Sequence, residues 1–440
     1  MADPNSETGG APQAAQLASQ APEAAAPPAG KVARKAAMPF IMVAVLIDMI
    51  SIGLMVPVLP HIVGQFTSSN DEQTLGFLAV TLTFGIANFL SSPILGALSD
   101  RFGRRPVLLL GFAGLALSFF VTAAATALWM LVAVRMFSGA MQSNISIANA
   151  YVADITPPEE RARRFGLMGA MFGIGFILGP VIGGILGDID VRLPFVVAGS
   201  MALINWCYGF FVLPESLPKE RRRPFEWRRA NPVSALRGLA ALKGVGALVW
   251  VIGLASLAQF MLHMSWVLYT KFKFGWGPGD VGWSLFAVGV VSALSQGVLL
   301  KPLLARFTPQ QLAVVGLSVG ALSYLGFGLS TQGWMMYAVI VLGLLGGAAQ
   351  AAMQSIVSNA ADPTRQGQTM GAVSSLSSLM AVFAPVVALE LLRWVSVRPP
   401  GDWLIGLPFF VCSALQATAA VTAWRFFRTH QTVRAEPARA

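Results

Sequence analysis

Two ionisable side chains stand in stretches that are otherwise apolar. Asp48 lies in the run Val45-Leu46-Ile47-Asp48-Met49-Ile50, and Arg135 lies in Val132-Ala133-Val134-Arg135-Met136-Phe137. A carboxylate at the centre of a bilayer helix costs about 2.5–3.5 kcal/mol on insertion scales, so it turns to a cavity or to a partner. Burial disfavours the charged form, which suits Asp48 to binding and releasing a proton near neutral pH. Either it takes a proton from outside and releases it inside, or it is locked in a fixed ion pair, with Arg135 as a candidate partner. A guanidinium stays charged at any accessible pH. Arg135 therefore stabilises deprotonated Asp48, attracts an anionic group on a transported molecule, or snorkels to the outer interface.

A second set of polar side chains interrupts the same apolar stretches: Asn88, Gln142, Asn144, Gln259, His263, Ser292, Gln296, Gln350 and Gln354. Unsatisfied amides are expensive in hydrocarbon, so these residues either line a path for substrate or bond between helices. Glu390 and Arg393 read as an interfacial pair near the outer end of their span. No paired catalytic carboxylates, zinc-type His/Glu motif, nucleophile with a base or G-x-x-x-x-G-K-[ST] run is found, so the expectation is of no enzyme, no cofactor, no metal site and no direct use of ATP.

The elements that must hold these residues follow from composition. Of 440 residues, 55% are hydrophobic and only 11% charged, against about 25% charged in soluble domains. That excludes a soluble enzyme or a nucleic-acid binder and leaves enough apolar sequence for roughly twelve spans of ~20 residues. The spans are expected at 38–63, 75–98, 106–126, 128–152, 165–187, 194–213, 245–270, 280–301, 311–329, 334–357, 368–392 and 404–426. Most of the 30 Lys and Arg fall in alternate connections and tails, such as Arg101, Arg104 and Arg105, then Arg161, Arg163 and Arg164, then Lys219 to Lys243. This bias predicts a cytoplasmic location for both termini in a multi-pass inner (plasma) membrane protein. The net charge of +10 is thereby assigned to topology, with no nucleic-acid partner.

The halves repeat. Arg101-Phe102 matches Arg306-Phe307, Trp129-Met130 matches Trp334-Met335, and Gly166, Pro180 and Cys207 match Gly371, Pro385 and Cys412, each pair 205 positions apart. Six spans separate the copies, so the halves run parallel, related by an axis along the membrane normal. The expected organisation is a disordered cytoplasmic tail (1–37), a six-helix bundle (38–213), a cytoplasmic linker (214–244), a second six-helix bundle (245–426) and a cytoplasmic tail (427–440). The fold class is all-α, integral to the membrane, and the protein is expected to be a monomer.

Three motifs carry a resemblance. Gly96-Ala-Leu-Ser-Asp100-Arg101-Phe-Gly103-Arg104-Arg105 resembles the signature that the major facilitator superfamily carries between spans 2 and 3. Gly173-Ile-Gly175-Phe-Ile-Leu-Gly179-Pro180-Val-Ile-Gly183-Gly184 is similar to the fifth-span signature of its drug/proton antiporters. With Asp48-Met-Ile-Ser-Ile-Gly53-Leu-Met-Val-Pro57-Val-Leu-Pro60, the chain looks most like the tetracycline-exporter branch over 38–426.

The resemblance implies a conformational latch from Gly96, Asp100, Arg101, Gly103, Arg104 and Asp154, which holds the outward-open state, with Gly96 permitting close helix contact. The alternative reading is of topology charges in water. It also matches Arg135 to a membrane arginine of the antiporters. In the fifth-span motif, Gly175, Gly179, Pro180, Gly183 and Gly184 read first as packing and a bend, then as a seal. The family's further membrane acids and histidine are replaced by Ser118, Gly320 and Ser292, which weakens a metal–tetracycline chelate as cargo. The implied function is proton-coupled export of amphipathic drugs such as tetracycline, with drug, protons and bilayer as partners. The alternatives are a proton-coupled metabolite or sugar transporter of the same fold and a non-transporting receptor.

Overall fold

The computed structural model describes residues 31–142, 144–222, 224, 246–346, 352–353, 356, 366–399 and 401–435. Every regular element among them is helical. Gln350, Gln354, most of the linker and most of the N-terminal tail lie outside the described residues.

The first span is α1 (Lys31–Met55), a turn at Val56–Val58 and α2 (Leu59–Gly64). Pro57 and Pro60 supply no backbone N–H, so the ladder is interrupted where they fall. There follow α3 (Asn70–Phe102) and α4 (Arg104–Ala123), and the fourth span divides into α5 (Leu128–Met141) and α6 (Asn144–Ile155). The first half ends with α7 (Arg161–Ile189) and α8 (Leu193–Val212). The second half has α9 (Gly246–Phe274), α10 (Pro278–Leu294), a π-turn at Ser295–Leu299, α11 (Leu300–Arg306), α12 (Pro309–Leu329), α13 (Gly333–Leu342), α14 (Gln366–Val395) and α15 (Leu407–Ala435).

Among the described residues, ten helices are long and apolar enough to cross a bilayer. The other two expected spans are the broken fourth and the tenth, of which α13, a tight helical turn at Gly343–Leu345 and residues 346, 352, 353 and 356 are described. The fourth was expected unbroken over 128–152. It breaks because Gln142 leaves the helical region (φ −89°, ψ 74°), and an amide from α3 satisfies the carbonyls this frees, as shown below.

The repeat is visible in the packing. The first span lies against α7 and α8, as α9 lies against α14 and α15, and α4 packs on α8 as α12 packs on α15. The two halves meet through α7 with α10 and through α3 with α14. These contacts gather at the arginine-poor ends of the helices. Toward the other side, Gly96 of α3, Gly166, Gly169 and Gly173 of α7 and Gly297 below α10 have, among the described residues, no neighbouring atom within 4 Å of where a Cβ would sit. The halves therefore splay apart toward the arginine-rich side and close at the opposite side.

Candidate functional site

Asp48 is 4% exposed and sits inside the first half, not between the halves. It lines a void of ≈ 10 Å³ with Val45 and Met49 of α1, Phe112 of α4 and Asn144, Ile145 and Ala148 of α6. That is the room of about one water. Asp48 Oδ1 and Asn144 Nδ2 are both buried with no hydrogen-bond partner. Asn144 shares the lining of this void with Asp48 and is itself 4% exposed.

Arg135 does not pair with it. Arg135 is 8% exposed, directs Nη1 to Met55 Sδ at 3.1 Å and stacks its guanidinium 4.3 Å from the centre of the Phe84 ring. Its Nε is unpartnered, and it forms no ion pair among the described residues. The fixed Asp48–Arg135 pair is thus absent, and so is snorkelling, because the guanidinium is buried against an aromatic face.

The break that produces α6 is held by Asn88. Its Nδ2 donates to Gln142 O at 2.6 Å and to Gly139 O at 3.4 Å. Gly139 lets α5 reach α3 here, because a Cβ would meet Ala87 Cβ at 3.1 Å and the Phe84 carbonyl carbon at 3.1 Å.

The α7 motif has two faces. Gly175, Gly179 and Gly183 recur at i, i+4, i+8 and so share one face of the helix. That face is pressed onto α1: a Cβ on Gly179 would lie 2.7 Å from Gly53 Cα, and one on Gly183 would lie 2.7 Å from Leu54 Cα. Pro180, Gly184 and Gly187 lie on a second face, turned toward α10. A Cβ on Gly184 would meet Gly279 Cα at 3.1 Å, and one on Gly282 would meet Pro180 O at 2.5 Å. That second face continues down the helix as Gly173, Gly169 and Gly166, where it meets nothing.

The charge network on the arginine-rich side is assembled. Arg104 Nη1 reaches Asp100 Oδ1 at 2.6 Å and Ser99 Oγ at 2.6 Å, and its Nε reaches Asp154 Oδ2 at 3.1 Å. Gly103 has φ +108°, a conformation that side chains rarely adopt, and the Glu215 carboxylate occupies the place of its missing Cβ. Glu215 Oε1 accepts from Arg104 N at 2.8 Å and Leu217 N at 3.0 Å. Ser216 Oγ donates to Asp154 Oδ2 at 3.3 Å, and Tyr151 Oη donates to Pro214 O at 2.9 Å. The strap Pro214–Leu217 was not singled out from sequence; its position just after the sixth span, beside the counted arginines, was the available signal. Arg101 is exposed, over the Phe102 ring at 5.1 Å. No described atom lies within 4 Å of where a Cβ on Gly96 would sit.

Of the polar candidates, Asn88 is committed to backbone carbonyls and Asn144 is buried beside Asp48. Gln142 offers its carbonyl to Asn88 and keeps a half-buried side chain. Gln259 and His263 are exposed one turn apart on α9, their Nε2 atoms 3.4 Å from each other, and Tyr324 Oη donates to Gln259 Oε1 at 2.9 Å. Ser292 is half-buried and Gln296 exposed.

Across the closed side, Arg393 Nε pairs with Asp71 Oδ1 at 2.9 Å, and its Nη1 pairs with Glu390 Oε2 at 3.4 Å. Asn70 Nδ2 donates to Ser396 O at 3.4 Å, and Lys271 Nζ donates to Gln73 Oε1 at 2.7 Å. Gly279 N donates to Asp188 Oδ1 at 2.9 Å.

The profile of the Major Facilitator Superfamily matches residues 41–385 and 248–440. The tetracycline resistance protein of class C from Escherichia coli is 35% identical over 368 residues, 83% of this chain and 92% of that protein. The class D protein from Salmonella ordonez is 33% identical, over 87% of this chain and 98% of that one. Among solved structures, an inward-facing, unoccupied bacterial homologue of the human lysosomal transporter Spinster superposes with a TM-score of 0.70 at 15% identity, covering 93% of this chain and all of that one.

Proposed function

The chain belongs to the major facilitator superfamily, and we propose that it exports amphipathic drugs, tetracycline among them, across the inner membrane in exchange for protons. It is a multi-pass membrane protein, oriented in this reading with both termini in the cytoplasm, so that the cleft between the halves opens to the cytoplasm. The kinship with tetracycline resistance proteins over most of both chains supports the substrate class. Proton coupling rests on one observation: Asp48 is a buried carboxyl with no ion pair among the described residues, in a bundle that would rock against the other. A carboxyl without a fixed cation is free to change its charge during the cycle.

In the cycle, Asp48 takes a proton from water on the outer side and gives it to water on the cytoplasmic side. The Arg104 network steadies the first half, and the exposed Gln259, His263 and Gln296 offer hydrogen bonds to a drug in the cleft. A transmembrane potential contributes about 2.3 kcal/mol per charge per 100 mV to such an exchange.

The test is tetracycline uptake into everted vesicles energised by a proton gradient. The native chain accumulates drug and loses it on uncoupling, while Asp48→Asn is expected to abolish gradient-driven uptake. Full uptake by Asp48→Asn overturns the coupling assignment, and absence of any gradient-dependent flux in the native chain overturns the substrate class.

A further inference from the structure

The carboxyl of Asp48 must exist for part of the cycle as a buried anion, and nothing positively charged is placed to receive it. Around α1, the α7 face presents Gly175 and Gly179, and α8 presents Asn205, whose Nδ2 donates to Ala44 O at 3.1 Å. Tyr208 of α8 is taken up against Phe40, with ring centres 4.5 Å apart. Phe112 closes the void from α4. Tyr151 and Asp154 of α6 lie at its far end, engaged with Pro214 and Arg104. Arg135 is held by Met55 and Phe84. Asp48 forms no ion pair among the described residues, and no other charged side chain lines its void.

What does face the void is the start of a helix. Asn144, Ile145 and Ala148 are in the first turns of α6, a helix of 12 residues. The first amides of a helix have no partner within it, and its N-terminal end carries a partial positive charge that favours an anion. Asn144 adds a side-chain donor that is buried and unpartnered, next to a carboxyl oxygen in the same condition. Its side chain is pinned from behind by α4, because a Cβ on Gly111 would collide with Asn144 Oδ1. This helix start exists only because the fourth span is broken, and Asn88 satisfies the carbonyls on the near side of the break.

We propose that Asn144 and the first turn of α6 are the anion site for deprotonated Asp48, and that Asn88 is a positioning residue which sets that site by holding the break in the fourth span. The step is a plain proton transfer. The Asp48 O–H bond breaks, the proton passes to water, and the electron pair stays on the carboxylate, which then accepts hydrogen bonds from Asn144 Nδ2 and the α6 amides. This deepens the coupling role proposed above and rests on it for its place in the cycle, though not for its measurement.

The protonation of Asp48 is read directly, without substrate, as the infrared C=O band of a carboxylic acid in the purified full chain titrated with pH, assigned by its loss in Asp48→Asn. Asn144→Ala is expected to move the midpoint of that band to higher pH by about one unit, and Asn88→Ala to move it in the same direction by less. Asn144→Ser, which keeps a donor, is expected to restore much of the native midpoint. A melting temperature lowered with the midpoint unmoved would mean that Asn144 only packs, and would overturn the proposal. An unmoved midpoint in Asn88→Ala alone overturns its positioning half. Should Asp48→Asn keep gradient-driven uptake while Asn144→Ala still shifts the band, the coupling assignment fails and the anion site stands.

Discussion

The two ends of the boundary between the halves are built differently. At the arginine-poor end the polar contacts cross from one half to the other: Asp71 to Arg393, Gln73 to Lys271, Asp188 to the amide of Gly279. At the arginine-rich end the charges are just as dense, yet Asp100, Arg104, Asp154 and Glu215 all belong to the first half and its outgoing strap. In the proposed cycle, one end is fastened by bonds that would part as the halves rock. The other is a plate held together within one half, which would stay whole as its partner surface moves.

The same contrast runs along α7, and its largest expected effect comes from that helix. Gly179→Leu would drive a side chain into the backbone of Gly53, which cannot yield as a side chain does. A destabilisation of about 3 kcal/mol or more is expected, read as a fall in the melting temperature of the purified protein. Gly173→Ala, on the face that meets nothing, should leave melting unchanged.

Within the plate, Arg104→Ala removes the group that joins Asp100, Ser99 and Asp154. A destabilisation of about 3 kcal/mol is expected from losing these charged hydrogen bonds, read as a fall in the melting temperature, with the balance between inward-open and outward-open states little changed. Gly103→Ala is smaller. It forces a side chain into a backbone region nearly reserved for glycine, and against Glu215, at a cost of about 1–3 kcal/mol in melting measurements. The smallest effect belongs to the crossing pair. Asp71→Asn, in an exposed ion pair, should raise the outward-open population by about fivefold at most. Reduced thiol labelling of Gly96→Cys from the arginine-rich side would report it, and added salt should mimic it in the native chain. Equal responses to Asp71→Asn and Arg104→Ala would erase the distinction between the two ends.

Much of the fold was legible because spans are a one-dimensional signal: apolar length, flanking arginines and a repeat need no knowledge of partners. Asp100 and Arg104 were legible as a pair because i, i+4 spacing puts them on one helix face. The polar contacts that decide the sites were not. Asn88 and Gln142 read as two amides on separate spans, and nothing local says that one serves the backbone of the other, 54 positions away. Asp71 and Arg393 are 322 positions apart, so their pairing exists only after two bundles dock. Arg135 was read with Asp48 because opposite charges in oil ought to meet. A ring face and a thioether met it first.

The enclosure of Asp48 has a further consequence for how the two fluxes are tied. On the proposed coupling, a hydrogen ion lodged among α1, α4 and α6 would take up none of the volume a drug would fill beside α9, so cargo and ion would not contend for one berth. Their exchange would be bound instead through the tilt of whole bundles.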